Sequence, residues 1–472
     1  MSGANLPLPI TIDRNAPVGL SQQLQDALRD LIGRGGLPAG TVLPPTRQLA
    51  PALGVSRNVV LDAYSQLRHE GLLTARTGDG TRVSGRVRKP AVSAARTRGR
   101  IDLHPDVTDL SGFPRLAWGR AVDAALRELP DRALGYGSPR GIHELRAQLA
   151  AYLARTRGIV ADAESIVVCD GLMTAVAMLR EALDLRRVAV PRVGYPALAG
   201  ALQRPGPPTS WLDVDEQGAV FERLPRGSGC AAVVQPAHHY PLGVAIGEER
   251  AELLLAWARH RGGLILENDA NADVFHDGPG PVALQAGAPE CTVLMGSVSR
   301  TLAPGLRMGW LVAPPDLARR LGAHRARTVP GPPVIDQMAF ARFLADGALD
   351  RQARRLRGTC RSRSRALTAA LRRELPDAAV PTPTSGLHVT VALGPGADEE
   401  RVKAAAADGG VRLFGLAEHV LHGEPLSPGL VVGFGALPEP SAPAAARAIG
   451  RAVATARSSR RSPARRARAW RS

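Results

Sequence analysis

The sequence of 472 residues has few cysteines and no long hydrophobic run. Its four cysteines each lie more than 60 positions from the next, which favours neither a zinc site of paired cysteines nor a disulfide network. No uncharged apolar run reaches the roughly 18 residues of a membrane-spanning helix, and the first ten residues lack a basic segment followed by an apolar one. The sequence therefore predicts a cytoplasmic protein with no metal site and no membrane partner.

Length and composition predict several folded domains. The chain is about three times as long as the commonest domain. Its hydrophobic fraction of 44% and charged fraction of 22% are close to the averages of globular proteins. We therefore expect sizeable hydrophobic cores and exclude a fibrous or wholly disordered chain.

The net charge of +17 is concentrated at the two ends of the chain. Residues 1–100 carry 14 basic and 6 acidic side chains, and residues 457–472 carry seven arginines and no acid. Basic extensions on a nearly neutral body are typical of proteins that bind a polyanion such as DNA. The alternative is that the terminal arginines only solvate a tail in an arginine-rich protein.

A basic segment divides the chain into a small head and a large body. Residues 86–100 hold six positive charges, no acid and few residues able to form a core, which indicates an extended linker. We therefore predict a head at residues 1–85, a linker at 86–100, a body at 101–456 and a basic disordered tail at 457–472.

The pattern of the head predicts three helices followed by two strands. Apolar residues recur at every fourth position from Leu20 to Ile32, and a second helix is expected at about residues 46–53. Pro51 removes a backbone hydrogen bond from that helix, so it should be short or bent. Ser56 can cap a third helix, and residues 72–83 have the composition of two strands joined by a Gly-Asp-Gly turn. The apolar positions of the third helix that should pack inward are Val60, Ala63, Tyr64 and Leu67.

This order of elements is that of a winged helix-turn-helix, whose recognition helix enters the major groove of DNA with its N-terminal end. Ser56, Arg57 and Asn58 are therefore the candidates for phosphate and base contacts, since Arg pairs well with guanine and Asn with adenine. The alternative is that Arg57 and Asn58 are simply an exposed helix start. The residues placed to contact phosphates from the preceding helix and the wing are Arg47, Arg76, Thr81 and Arg82.

The body alternates helical segments with short apolar runs, which predicts a mostly parallel sheet covered by helices. In such α/β folds, ligands bind beyond the carboxyl ends of the strands. The apolar runs lie at residues 166–168, 188–190, 231–234, 263–266 and 292–295. The polar positions that follow them lie at residues 170–171, 235–236, 268–269 and 297–300.

Both halves of the chain resemble known families. Residues 43–83 (LPPTRQLAPALGVSRNVVLDAYSQLRHEGLLTARTGDGTRV) resemble the head of GntR-type regulators, and the body resembles fold-type I aminotransferases. Together they resemble the MocR subfamily of GntR-type transcriptional regulators. The resemblance implies a winged helix-turn-helix (α+β) followed by an α/β pyridoxal phosphate (PLP)-dependent transferase-like domain. It also implies a homodimer that binds double-stranded operator DNA and a small effector, either PLP or an amino-acid-like molecule.

The resemblance locates a cofactor pocket in which the reactive lysine is missing. Residues 296–310 (GSVSRTLAPGLRMGW) resemble the motif that carries the Schiff-base lysine, but Arg300 occupies that position. Arginine stays protonated and cannot supply the neutral amine that PLP chemistry requires. The only lysines are Lys89 in the linker and Lys403 in an alanine-rich helix, and neither is expected in the pocket. No catalytic residue is therefore predicted, and PLP is not expected to bind covalently at this position.

The stretch that should contact the cofactor ring is altered as well. In residues 264–275 (LILENDANADVF), Asn268 stands where the family has the aspartate that protonates the pyridine nitrogen, and Ala270 stands where it has a tyrosine. An amide cannot stabilise a pyridinium as a carboxylate does. We therefore predict a vestigial, inactive aminotransferase domain. The alternatives are a PLP-dependent aminotransferase with an appended DNA-binding domain, and a regulator that binds PLP noncovalently.

The remaining cofactor positions are better preserved. By resemblance, Arg307, Ser297 and Gly171 form the phosphate cup, Tyr195 stacks on the ring, and Tyr136 reaches the phosphate of the partner subunit. Packing alone is the alternative for Tyr195. The loop at residues 235–243 resembles the substrate side of the pocket, and its candidate ligand-binding residues, for which surface or packing roles are the alternative, are His238 and His239.

Overall fold

The computed structural model divides the chain into two compact units, one within residues 1–98 and one within residues 99–472. The first unit contains the predicted head and the second contains the predicted body. The predicted linker at residues 86–100 lies outside the described residues, as do residues 459–472 of the predicted tail. The structure describes residues 8–14, 19–33, 36–70, 72–76, 80–84, 101–203, 206–271, 273–276, 280–328 and 331–458.

Helices and a strand pair form the described part of the head in the predicted order. The helices are α1 (Leu20–Gly33), α2 (Thr46–Ala52) and α3 (Arg57–His69), and the antiparallel strands are β1 (Leu73–Arg76) and β2 (Gly80–Val83). Residues 77–79, which include most of the predicted turn, lie outside the described residues. The prediction of a winged helix-turn-helix is confirmed.

The core of the head is built from the apolar positions that the helical spacing indicates. Leu24 and Leu28 of α1 are fully buried against α3. Pro51 lies inside α2, which is only seven residues long, so the helix is short as one of the two alternatives predicted. The α3 residues that pack inward as predicted are Val60, Ala63, Tyr64 and Leu67.

In the described part of the body, strands form one seven-stranded sheet, one three-stranded sheet and two short pairs. The strands are β3 (Ile101–Asp102), β4 (Ile166–Cys169), β5 (Arg187–Pro191), β6 (Thr209–Leu212), β7 (Val214–Asp215), β8 (Gly218–Ala219), β9 (Cys230–Val234), β10 (Leu264–Asn268), β11 (Thr292–Ser297), β12 (Gly309–Val312), β13 (His388–Ala392), β14 (Val411–Arg412), β15 (Phe414–Gly415) and β16 (Gly429–Gly433).

The large sheet is mostly parallel, as predicted. Its strand order is β4-β12-β11-β10-β9-β5-β6, and β12 alone runs antiparallel to its neighbours among these described strands. The register pairs Ser297 with Gly309 and Gly309 with Cys169. The carboxyl ends of β4 and β11 therefore lie at one edge of the sheet, where the resemblance expects the pocket.

Helices cover both faces of the large sheet. Ile166 and Val168 of β4 belong to the core beneath α5 (His143–Arg157) and α11 (Val334–Ala345). Val167 and Cys169 face α6 (Leu172–Ala182) and α10 (Pro315–Thr328). No helix within the described ranges is both long and apolar enough to cross a membrane. The helices of the body are α4 (Arg115–Glu128), α5 (His143–Arg157), α6 (Leu172–Ala182), α7 (Pro196–Gln203), α8 (Glu248–Arg261), α9 (Leu284–Gly287), α10 (Pro315–Thr328), α11 (Val334–Ala345), α12 (Ala348–Glu374), α13 (Glu399–Asp408) and α14 (Ala442–Ser458).

The small sheet, in the order β13-β16-β15, packs with α12, α13 and α14, with strand β14 and with residues 416–419. We call this assembly the C-terminal lobe. Strand β3 pairs in parallel with β14 of this lobe, so that Ile101 lies opposite Val411. The N–H of Gly433 also donates to the carbonyl of Leu103 at 2.9 Å. The first described residues of the body are therefore bound to its C-terminal lobe.

Candidate ligand pocket and DNA-binding surface

The recognition helix of the head begins with an exposed pair of polar side chains. Ser56 caps α3, because its Oγ accepts a hydrogen bond from the N–H of Val59 at 3.4 Å. Arg57 and Asn58 follow it and are both exposed. The Nε of Arg57 donates to Oγ1 of Thr46 at 3.4 Å, which brings the start of α3 to the start of α2.

The predicted phosphate contacts lie on α2 and on the wing. Arg47 is exposed in the first turn of α2. Arg82 is half-buried on β2, and its Nη1 donates to the carbonyl of Gly40 at 3.3 Å. Thr81 is half-buried, and its carbonyl accepts from the N–H of Leu43 at 2.8 Å. The side chain of Arg76 lies outside the described part of the chain.

At the carboxyl edge of the large sheet, a cation and a helix N-terminus lie together. Gly171 precedes α6 with φ +102°, and a Cβ at this glycine would lie 3.9 Å from both terminal nitrogens of Arg307. Arg307 is exposed and has φ +48°, and its side chain has neither a hydrogen-bond nor an ion-pair partner among the described residues. Free N–H groups at a helix start together with a guanidinium can bind a phosphate.

Ser297, the predicted hydroxyl of the same cup, is held within its own loop. Its Oγ lies 2.9 Å from Oγ of Ser299 and 3.3 Å from the carbonyl of Met308. The N–H of Ser299 also donates to it at 3.2 Å. To serve a phosphate, this hydroxyl would have to exchange one of these partners.

Arg300 is engaged by two side chains that sequence reasoning missed. Its Nη1 donates to Oδ1 of Asn271 at 2.7 Å, and its Nη2 forms an ion pair with Asp106. The Arg300 side chain is only 12% exposed. No sequence signal links Asp106 to Arg300, because the two residues are 194 positions apart.

Asn268 and its neighbour Asp269 have separate partners. Asn268 is buried, and its Oδ1 accepts from the N–H of Ala270 at 3.1 Å, which leaves the amide NH₂ as a donor. Asp269 forms a buried two-point ion pair with Arg157, with distances of 2.6 Å from Nη2 to Oδ1 and 3.0 Å from Nε to Oδ2. Asp269 therefore does not replace the missing carboxylate at Asn268.

The predicted ligand histidines are both buried. His239 donates from Nε2 to the carbonyl of Val193 at 2.8 Å, which is a packing contact. The Nδ1 of His238 lies 2.7 Å from Oγ of Ser385, whereas its Nε2 has no hydrogen-bond partner in the described part of the chain. Burial, aided by the positive charge of Arg300, lowers the pKa of His238 well below its usual value.

Aromatic rings and two further imidazoles lie near His238. Tyr240 makes edge contacts with Tyr195 at 5.7 Å and with His388 and His419 at 5.0 Å each. Burial lowers the pKa of His388 and of His419 to about 4, so both are neutral at pH 7. His388 and His419 were not predicted, because they lie on the C-terminal lobe, far from the pocket motifs in sequence.

PLP, the cofactor that the resemblance implies, fits part of this pocket. The Arg307 side chain, which has no partner among the described residues, lies near the start of α6 and suits the phosphate. Tyr195 and the Asn268 amide suit the ring. The end that should carry a free amine instead holds the Arg300–Asp106 ion pair, so the residues do not fit covalent attachment. No group of three or more metal-binding side chains occurs within the described ranges.

Comparison with known proteins identifies both units. The family "Bacterial regulatory proteins, gntR family" matches residues 20–83, and "Aminotransferase class I and II" matches residues 110–420. The chain is 32% identical to the pyridoxine biosynthesis transcriptional regulator PdxR of Corynebacterium glutamicum, over 91% of this chain and 94% of that protein. It is 30% identical to the probable rhizopine catabolism regulatory protein MocR of Rhizobium meliloti, over 90% of this chain and 92% of that protein.

Solved structures with the same fold as the body are aminotransferases. The multiple substrate aminotransferase of Thermococcus profundus has a TM-score of 0.70 at 20% identity, covering 77% of this chain and 94% of that one. The kynurenine aminotransferase of Pyrococcus horikoshii has a TM-score of 0.69 at 21% identity, covering 76% and 91%. These similarities confirm the predicted aminotransferase-like fold of the body. Taken with the two family matches and the relatives, they show that the chain belongs to the MocR-type group of the GntR family of transcriptional regulators.

Proposed function

We propose that this chain regulates transcription by binding DNA through its head and a small ligand through its body, without catalysing transamination. The observation that carries the proposal is the Arg300–Asp106 ion pair, which stands where an enzyme needs a free amine. The names of PdxR, MocR and the Rhodobacter capsulatus regulator TauR support the regulatory role.

No other described residue supplies the missing amine. Lys403 lies on α13, where its Nζ is 2.7 Å from Glu400 and 2.7 Å from Glu418. Although partial burial lowers the pKa of Lys403, hydrogen bonds to these carboxylates leave that pKa above its usual value. Lys403 is therefore a cation in an ion-pair cluster and a poor nucleophile.

The remaining pocket residues support noncovalent binding of PLP or a related molecule. When bound, PLP would supply an electrophilic aldehyde. Arg307 and the start of α6 would bind its phosphate, with Ser297 as a further donor. Tyr195 would flank the ring, and the Asn268 amide would donate to an unprotonated pyridine nitrogen. The Nε2 of His238, which has no hydrogen-bond partner among the described residues, is a further polar group for the ligand.

A PLP titration tests this binding mode. We expect Arg307→Ala to weaken binding at least about tenfold, because it removes a charged hydrogen-bond donor, and the exposed Arg261→Ala on α8 to leave binding unchanged. After borohydride reduction, mass spectrometry should find no pyridoxyl group on the wild-type chain. A yellow protein with a reducible adduct would support the alternative, an aminotransferase with an appended DNA-binding domain.

Gel-shift assays on the DNA upstream of the gene test the head. Arg57→Ala and Asn58→Ala should each weaken specific binding by about 1–3 kcal/mol, because each removes a base contact. Arg68→Ala, on the exposed C-terminal part of the same helix, serves as the matched control. Equal binding by all three variants would contradict the assigned recognition surface.

We further propose that the chain is a homodimer. Several large side chains near the start of the body are exposed in the single chain, and a partner subunit could cover them. Sedimentation equilibrium should give twice the chain mass, and Tyr136→Ala should weaken PLP binding if this tyrosine contacts the phosphate bound by the partner. The exposed residues are Leu110, Leu116, Leu126, Leu134 and Tyr136.

A further inference from the structure

The Arg300–Asp106 ion pair has the chemistry of an occupied carboxylate site. The planar guanidinium of arginine matches a carboxylate with parallel donors and keeps its charge at all physiological pH values. Here Asp106 supplies that carboxylate, and Asn271 accepts from the other terminal nitrogen at 2.7 Å. Arg300 therefore already binds a carboxylate that belongs to the protein itself.

Arg300 is the permanent cation of this part of the pocket. The imidazoles of His388 and His419 are neutral at pH 7, because burial lowers the pKa of each to about 4. The charges of Arg300 and Asp106 both act on the Tyr195 and Tyr240 hydroxyls, so the ion pair lies near these rings. An anion that enters beside Tyr195 would find Arg300 as its partner.

Of the two partners in the ion pair, Asp106 can move away into water more easily than Arg300 can. The Asp106 side chain is 20% exposed, against 12% for Arg300, and so has access to water when it leaves the guanidinium. A resident carboxylate that must leave first lowers the apparent affinity of any incoming anion. A neutral group gains nothing by displacing Asp106, because it cannot satisfy the guanidinium that it would uncover.

We propose that Arg300 binds the carboxylate of a small effector, which displaces Asp106 from the guanidinium. The proposal rests on the proposed function in that it places the effector in the body pocket. Arg307 provides a second cation at the start of α6, so a ligand with a phosphate at one end and a carboxylate at the other matches the pocket best. With arginine instead of lysine at position 300, the ligand group preferred at this position is thus a carboxylate and not an aldehyde.

Asp106 lies on the first described segment of the body, which is anchored on both sides of this residue. Residues 101–109 are held on both sides of Asp106, by the pairing of β3 with β14 and by the ion pair of Asp109 with Arg363 at 2.5 Å. This is the first described segment of the body after residues 85–100, which join it to the head. Release of Asp106 therefore changes the anchoring of residues 103–109 within the body, so the ligand-free and ligand-bound body differ in the partner of Arg300.

Calorimetry with three matched probes tests the proposal on the full chain. The probes are 4-pyridoxic acid 5′-phosphate, pyridoxal 5′-phosphate and pyridoxine 5′-phosphate, which carry a carboxylate, an aldehyde and an alcohol at the same position. We expect the carboxylate to bind about 10- to 100-fold more tightly than the alcohol, from a charged hydrogen-bonded pair. Asp106→Asn should tighten carboxylate binding several-fold, because it removes the competing charge, and should leave alcohol binding almost unchanged.

Two further variants distinguish an error in the carboxylate site from an error in the proposed noncovalent pocket. Arg300→Gln, and the double variant Asp106→Asn/Arg300→Gln that leaves no unpaired charge, should abolish the preference for the carboxylate. Hydrogen exchange at residues 103–109 should increase with the carboxylate probe alone. Equal affinities of the three probes would overturn the carboxylate site while leaving the noncovalent phosphate pocket intact. Failure of all three to bind would overturn both proposals.

Discussion

At the scale of single residues, Arg300 and Asp106 determine each other's chemistry. A carboxylate stabilises the charged form of a neighbouring cation, so a lysine restored at position 300 would meet Asp106 and be held as an ammonium. Under the proposed function, the absence of catalysis therefore involves two positions, and a lysine at position 300 alone would not provide a free amine.

The corresponding experiment restores the amine in two steps. With PLP and borohydride, Arg300→Lys should give little reduced adduct at pH 7, whereas Arg300→Lys/Asp106→Ala should give an adduct that peptide mass spectrometry locates at residue 300. Neither variant should transaminate, because Asn268 cannot hold a protonated pyridine nitrogen. Adduct formation at residue 300 that is equally complete in both variants would show that Asp106 does not control the amine.

The buried histidines make stability depend on pH. Burial lowers the pKa of His239, His388 and His419 from 6.5 to about 4. Between these values the unfolded chain binds more protons than the folded chain, so the free energy of unfolding should fall as the pH drops from 6.5 towards 4. Each histidine contributes up to about 1.4 kcal/mol per pH unit.

Urea unfolding between pH 4.5 and 8 measures this slope. His388→Gln should lower the slope by about 1.4 kcal/mol per pH unit in the acid range, because one proton fewer is taken up on unfolding. His143→Gln on the exposed surface of α5 is the control substitution. An unchanged slope in His388→Gln would mean that this histidine is already protonated in the folded protein.

The resemblance to fold-type I aminotransferases located the predicted pocket residues in the sequence. It assigned Asn268, Arg300 and Arg307 from the two body motifs at residues 264–275 and 296–310. Asp106 and His419 come from the two ends of the body, so neither spacing nor periodicity connects them with the pocket. Their contact with it depends on the packing of the C-terminal lobe, which local sequence patterns do not report.

At the scale of elements, the start of α3 serves both folding and recognition. The Ser56 hydroxyl is already used to cap the helix, so its contribution to stability can be separated from its contribution to DNA binding. Ser56→Ala should lower the free energy of unfolding of the head by about 1 kcal/mol.

Ser56→Asp provides the complementary test. An aspartate also caps a helix and interacts favourably with its N-terminal dipole, so thermal unfolding should be close to that of the wild type. Its charge should nevertheless repel DNA phosphates and weaken gel-shift binding more than Ser56→Ala does. Wild-type affinity in Ser56→Asp would remove Ser56 from the DNA interface.

Most elements with a regular apolar pattern were predictable, and the exceptions have physical reasons. In the large sheet, the five strands expected in the body are present, whereas β6 and β12 were not predicted. β12 follows a loop rich in Pro and Gly within the cofactor motif, and its antiparallel direction depends on partners that are remote in sequence. The pairing of β3 with β14 joins residues about 310 positions apart, which no local pattern indicates.

At the scale of the whole molecule, a dimer would carry two basic heads and bind two half-sites on one DNA. The second contact then benefits from a high effective concentration, so a DNA with one half-site should bind about 10²- to 10⁴-fold more weakly than one with both.

The affinity for DNA should also fall steeply as the salt concentration rises, and Arg47→Ala should reduce the salt slope by about 1 if Arg47 neutralises one phosphate. Fluorescence anisotropy at several salt concentrations measures both effects, and a flat salt profile would contradict phosphate contacts.

The parallel pairing of β3 with β14 has a practical consequence for dissecting the protein. The family match to the body begins at residue 110. Strand β3, which pairs with β14 at Val411, begins nine residues earlier, at Ile101. The body expressed alone from residue 110 would lose this strand together with Asp106. To keep the contacts that it has in the intact chain, an isolated body should start upstream of Ile101.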